Sequence, residues 1–193
     1  MKRWLAMSMV SAVSMVVCLG APLRAEEACK MVQLKNPAPT LAEIYGMAEK
    51  AAKAWKPDAV PAQISTTSLG PLQANGGAGG WNIQFYSKAS DSHVAMTVFR
   101  GTMTCWSDKG PAGRIPDLKP DFFKDGAALY AIAKKEAGEY IAKGYSVDLG
   151  TAAAPSTNHA MWYLNFSKQN ERNAPLSIVI DANTGKVEKV LKD

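Results

Sequence analysis

The sequence predicts an α+β protein: a helix laid on an antiparallel sheet in two layers, with that unit built twice in one chain. Three observations lead there: two amphipathic helical stripes, two Trp-led segments of strict alternation, and a register in which one half of the chain repeats the other. The 193 residues are 47% hydrophobic and 20% charged, the composition of a globular chain and not of a disordered, collagen-like or polytopic one.

Lys2 and Arg3 precede an apolar run from Trp4 to Gly20, and Ala21-Pro22-Leu23-Arg24-Ala25 follows with a helix break and a small residue at a cleavage point. This is the three-part form of a secretory signal peptide, so residues 1–25 are expected to be removed after Ala25. A membrane anchor would need a longer run without Ser8, Ser11, Ser14 and Gly20. Lipid attachment at Cys18 would need a small residue where Val17 stands. The leader holds Lys2, Arg3 and Arg24 but no acid, so most of the formal +5 charge belongs to it. No dense basic stripe remains, which argues against a nucleic-acid partner. A periplasmic or secreted mature chain without stable membrane insertion is expected.

Export leaves Cys29 and Cys105, an even pair in an oxidising compartment, where a disulfide is favoured over a metal site. Two thiolates cannot complete a zinc shell, and no Cys or His lies near either in sequence. Closing a loop of about 76 residues would stabilise by roughly 4 kcal/mol in the chain-entropy treatment.

Residues 26–106 form the first copy with its N-terminal arm, 107–124 a connecting loop, and 125–193 the second copy. Ile44-Tyr45, Met47-Ala48, Lys50, Trp55, Ile64 and Thr66 lie 85 positions before Leu129-Tyr130, Ile132-Ala133, Lys135, Tyr140, Leu149 and Thr151. Leu41, Ile44, Tyr45, Ala48, Ala52 and Trp55 fall on one helical face, with Thr40 and Glu43 placed as a capping box. Leu129, Ile132, Ala133, Ala137, Tyr140 and Ile141 repeat the stripe behind an Asp125 N-cap, and Lys143-Gly144 ends it.

Trp81, Ile83 and Phe85 alternate with Asn82, Gln84 and Tyr86, as Trp162, Leu164 and Phe166 alternate with Tyr163, Asn165 and Ser167. Val94, Met96, Val98 and Leu176, Ile178, Ile180 extend the dry face onto a second strand. Each copy therefore reads as a helix over an antiparallel pair. Asn75-Gly76-Gly77-Ala78-Gly79-Gly80 is too rich in glycine for regular structure and precedes a strand, so it reads as a mobile loop rather than a phosphate cradle. Three prolines between Ser107 and Lys124 mark the domain boundary.

The strand Leu176 to Ile180, running into Asp181-Ala182-Asn183-Thr184-Gly185-Lys186-Val187, resembles the closing hairpin of PepSY domains, small exported α+β modules. The resemblance covers about 65 residues, from Asp125 to Lys192, and the helix and Trp-led strand before it fit the same module. The first copy departs from it, with Phe99-Arg100-Gly101-Thr102 in place of the turn. The resemblance implies a binding or inhibitory module acting on exported proteins, often peptidases, and carries no catalytic residues.

The residues offer little chemistry. His93 and His159 both precede strands in different places of the two copies; a metal-assisted hydrolase would have to bring them together with a carboxylate. No Gly-x-Ser-x-Gly elbow occurs, and Asp117, Asp121 and Asp125 lack the alternation and central glycine of a calcium loop. No enzyme activity and no cofactor are expected. The aromatic residues placed away from the core stand out instead: Tyr86, Phe99 and Tyr163 on the outer sheet face, and Trp106, Phe122 and Phe123 flanking the connecting loop. Such rings serve as anchors at protein interfaces, or are buried within the chain where the two copies pack together or share one continuous sheet. The expected function is non-catalytic recognition or inhibition of another exported protein; the alternative is a periplasmic carrier holding a small apolar ligand between helix and sheet.

Overall fold

Alternation in the two Trp-led segments is realised as strand, and both find hydrogen-bonding partners on each side. The computed structural model describes residues 31–111, 113–168 and 175–192. In chain order the elements are β1 (Val32–Gln33), α1 (Leu41–Trp55), β2 (Val60–Thr66), β3 (Gly80–Ser87), β4 (Ser92–Phe99), β5 (Thr102–Lys109), α2 (Gly126–Ala142), β6 (Ser146–Ala153), β7 (Ala160–Ser167), β8 (Leu176–Asp181) and β9 (Val187–Lys192). Every named strand pairing is antiparallel, in one sheet of order β1-β5-β4-β3-β2-β6-β7-β8-β9.

This overturns the expected fold class. A duplicated two-layer helix-on-sheet α+β fold does not form; one nine-stranded antiparallel sheet dominates, with 45% of the described residues in strand and 21% in the two helices. The physical reason lies in β2 and β6, whose buried residues Ile64, Thr66, Leu149 and Thr151 alternate toward the same core and whose edges meet at Ser65 and Gly150, so the two halves continue one sheet. Pro61 sits in β2 and forces a register shift before Gln63, as a residue without an N–H must. In β5, Thr104 to Lys109 are largely exposed, and β6 carries Asp148 and Gly150. In β5, pairing with β4 rather than a continuous dry face makes the segment a strand.

The two halves are β2-β3-β4-β5 and β6-β7-β8-β9, each a meander preceded by a helix, and they join where β2 meets β6. The ladder there is short, pairing Ser65 with Gly150. On either side a buried threonine substitutes for backbone. Thr66 Oγ1 accepts from Leu149 N at 2.9 Å and donates to Leu149 O at 3.5 Å. Thr151 Oγ1 accepts from Ile64 N at 2.8 Å and donates to Ile64 O at 3.4 Å. Each hydroxyl thus serves both polar groups of the residue opposite, which would otherwise be buried unpaired. The strap of residues 113–124 adds contacts to the second half.

One sheet face receives Trp81, Ile83, Phe85, Trp162, Leu164 and Phe166, all within 1% of fully buried, together with the apolar sides of both helices. Trp81 Nε1 donates to Pro39 O at 2.9 Å, just before α1, and Trp162 Nε1 donates to Phe123 O at 2.7 Å, just before α2. The two indoles therefore play the same part, pinning a strand start to a helix entry. Truncating either to Ala would cost on the order of 3–5 kcal/mol, more than the roughly 1 kcal/mol of a helix cap. Both expected caps are present: the Thr40–Glu43 box on α1 and Asp125 on α2. The box holds the Glu43 carboxyl below its ordinary value, chiefly through the Thr40 N–H. α2 is kinked at Ala137 and ends at Gly144, whose φ of +86° suits the left-handed stop.

The glycine-rich segment is a packed joint, not a mobile loop. Gly76, Gly77, Ala78 and Gly80 are buried, Leu41 N donates to Gly76 O at 3.2 Å, and Ala78 N donates to Pro39 O at 3.2 Å. Gly76 takes φ +77°, and a Cβ there would overlap the Ala127 amide nitrogen at the start of α2. Glycine lets the N-termini of both helices close on one turn.

Thr66→Val and Thr151→Val keep shape but leave a buried N–H and C=O without partners. Each should lower stability by about 1–3 kcal/mol, read by urea denaturation, whereas Thr97→Val on the outer face should change it by less than about 0.5 kcal/mol.

Candidate functional site

Because the pleat sends Trp81, Ile83 and Phe85 toward the helices, Asn82, Gln84 and Tyr86 face the other way. The cross-strand register lines up two rows on this outer face. One runs Trp106, Ala95, Gln84, Gln63 and, across the seam, Ala152 and Met161; the next runs Thr104, Thr97, Asn82, Ser65, Gly150, Tyr163 and Val179.

The strap after β5 covers part of this face. Arg114 Nη1 donates to Pro155 O at 2.7 Å, Ala154 O at 3.1 Å and Thr157 O at 3.4 Å. Asp117 N donates to Asn158 O at 2.5 Å, Lys119 N to Asn183 Oδ1 at 2.9 Å, and Phe123 N to Ala182 O at 2.8 Å. These bonds fasten the strap to the β6–β7 loop and to the β8–β9 turn.

Two of the depressions among the described residues include Pro155 in their walls. The first, about 420 Å³, lies at the seam under the strap, with Ala62, Gln63, Gln84, Arg114, Ile115 and Ala152 around it. Gln84 is 8% exposed, yet its Oε1 has no hydrogen-bond partner. A buried amide left unpaired costs about 1–3 kcal/mol. The second, about 560 Å³, is an apolar groove on the outer face of the second half formed by Met161, Tyr163, Val179 and Leu191, with His159 at one end. Leu191, half exposed, belongs to β9, the edge strand of the described sheet.

His159 Nε2 lies 3.0 Å from Asp181 Oδ2. Asp181 Oδ1 meanwhile accepts from Asn183 N at 2.8 Å and Thr184 N at 3.0 Å, closing the turn that ends with Gly185 at φ +74°. Burial alone would raise the Asp181 carboxyl, but those two N–H groups and His159 outweigh it and hold it below its ordinary value. His93 is buried, with Nδ1 2.7 Å from Gly110 O and its ring edge-on to Trp106 at 5.3 Å. The two histidines thus have separate partners. Among the described residues no three His, Cys, Asp or Glu side chains come together as a metal shell.

The six aromatic candidates are dispersed. Tyr86 is half-buried, and its hydroxyl donates to Asp91 Oδ1 at 2.9 Å, a bond that raises its pKa. Trp106 is 47% exposed beside His93; Phe99, 37% exposed, has the Arg100 guanidinium 5.2 Å from its ring centre. Tyr163 lines the apolar groove. Phe122 corrects the expectation of a surface anchor: it is 1% exposed, edge-on to Tyr45 at 4.9 Å and 6.1 Å from Trp162. Phe123 packs on Gly185 and accepts the Trp162 indole bond through its carbonyl. Both belong to the helix entry. Cys105 is disulfide-bonded; Cys29, its expected partner, lies outside the described residues, as does the expected signal peptide.

Sequence reading missed Gln63, Arg114 and the groove residues Met161, Val179 and Leu191. Only Gln84 left a trace, as one of the amides shared by the two Trp-led strands. A pair facing the same depression across β2 and β3 needs the register, which Pro61 shifts.

No protein-family model, no curated protein and no solved structure matches this chain. Among the described residues no helix is long and apolar enough to cross a membrane.

Because the folded-state pKa of Asp181 lies below the ordinary 3.8, its contribution to stability is complete above that value and is lost as pH falls through the folded one. Stability followed by thermal melting should therefore decline below about pH 4, and Asp181→Asn should flatten that decline.

Proposed function

We propose that this chain is an exported, non-catalytic binding module that recognises another envelope or secreted protein through the outer face of its second half. The observation that carries the reading is the apolar groove of Met161, Tyr163, Val179 and Leu191, in which buried Met161 and Val179 lie beside the half-buried Tyr163 and the half-exposed Leu191 on a sheet face that the helices leave uncovered. Apolar surface with a tyrosine at its floor and a charged rim at Glu188 and Lys189 suits a protein partner. The leader sequence and the resemblance of the closing hairpin to PepSY domains support the same direction, with exported peptidases as one class of partner. The Cys29–Cys105 bridge would secure the N-terminal arm beside β5, next to which β1 already pairs. The alternative carrier has less support, because Trp81, Phe85, Phe122, Trp162 and Phe166 fill the layer between helices and sheet.

A photo-crosslinking residue at Tyr163 of the exported full-length chain should yield one defined adduct with an envelope protein, and the same residue at the exposed Lys134 should not. Tyr163→Ala should weaken binding of the identified partner at least tenfold without changing the far-ultraviolet circular dichroism. Equal labelling from both positions would contradict the proposal.

A further inference from the structure

The seam depression has a chemistry of its own, apart from the groove. Gln63 and Gln84 are direct partners across β2 and β3 on the outer face, and neither side chain makes a hydrogen bond to another described residue. Gln84 is more than nine-tenths buried in the wall of the depression with its carbonyl oxygen unpaired. A core-like position of this kind favours an apolar residue unless something pairs the amide. Because a side-chain amide offers one acceptor and one donor group, its natural complement is another amide, which presents N–H and C=O side by side. Among the described residues that line the depression, Arg114 is the only charged one. Its Nη1 is committed to the loop carbonyls, but Nη2 and Nε hold no hydrogen bond among the described residues. A guanidinium edge of this kind pairs with a carboxylate. The walls between amide and cation are the small side chains of Ala62 and Ala152 and the face of Ile115, and about 420 Å³ holds one or two small residues.

We infer that the seam depression binds an amide followed by a free carboxylate, the amide read by Gln84 and Gln63 and the carboxylate by Arg114. Two sources share this chemistry: the C-terminus of a peptide chain and an N-acylated amino acid. The inference stands on this depression alone; the partner groove could be wrong without affecting it.

Binding is read by NMR titration of the folded chain with three probes: N-acetyl-alanine, N-acetyl-alanyl-alanine with a free carboxylate, and the same dipeptide capped as its C-terminal carboxamide. The free acids should shift Gln63 and Gln84 side-chain amide signals at millimolar concentration, and capping should weaken binding at least tenfold. Tighter binding of the dipeptide acid assigns a peptide C-terminus; equal binding of the two acids assigns an acylated amino acid. Gln84→Leu should abolish the shifts while leaving thermal stability unchanged or higher, and Gln63→Leu on the facing strand should weaken them at least tenfold. Tyr163→Ala should leave probe binding intact, so a failed groove and a failed depression give different results. No shift with any probe, equal binding of the capped form, or undiminished binding by Gln84→Leu would overturn the inference.

Discussion

Two hydroxyl groups hold the halves of this protein in one sheet. Where β2 meets β6 the backbone ladder is nearly spent at Ser65 and Gly150, and the flanking N–H and C=O groups of Ile64 and Leu149 are buried. Thr66 and Thr151 occupy equivalent places in the two halves, and each reaches across to satisfy the residue opposite. The pairing is reciprocal, so one half cannot withdraw without stranding polar groups in both. Extending one sheet through this seam also removes two edges that separate units would have exposed.

That continuity decides what each face is for. The helices enter from one side, tied down by the Trp81 and Trp162 indoles and closed against each other at the Gly76 turn. Their apolar sides and the inward strand residues fill that layer, leaving the outer face to the strap and to solvent. The strap in turn gives the outer face its relief, because Arg114 and Asp117 fasten it across the end of the sheet and shape the depression beneath. The outer face thus carries shaped hollows, on which the proposed recognition rests.

Much of the local structure was legible. The α1 stripe matches the buried residues of that helix, the capping box and the Asp125 cap form, and the Asp181–Gly185 turn closes as its residues require. The paired strands β3–β4 and β7–β8 follow from period-two alternation. The fold class was not legible, because the halves are fused by the pairing of β2 with β6 at Ser65 and Gly150, far apart in sequence, and single-strand patterns carry no record of a partner. The glycine-rich turn misled for a related reason: its composition signals freedom in isolation, whereas here it permits close approach of two helix ends. Phe122 and Phe123 looked like loop aromatics, yet the strap turns inward there and buries the first. The amide pair Gln63 and Gln84 was hidden until register set them side by side.

The most direct test of the seam is native-state hydrogen exchange of the Ile64 and Leu149 amides, whose protons go to threonine oxygens rather than to a backbone ladder. If the seam joins both halves into one cooperative body, these amides exchange only through global unfolding, with the same free energy that denaturant melting gives for the whole chain. Exchange at a free energy well below that value, with the two halves opening separately, would contradict the account.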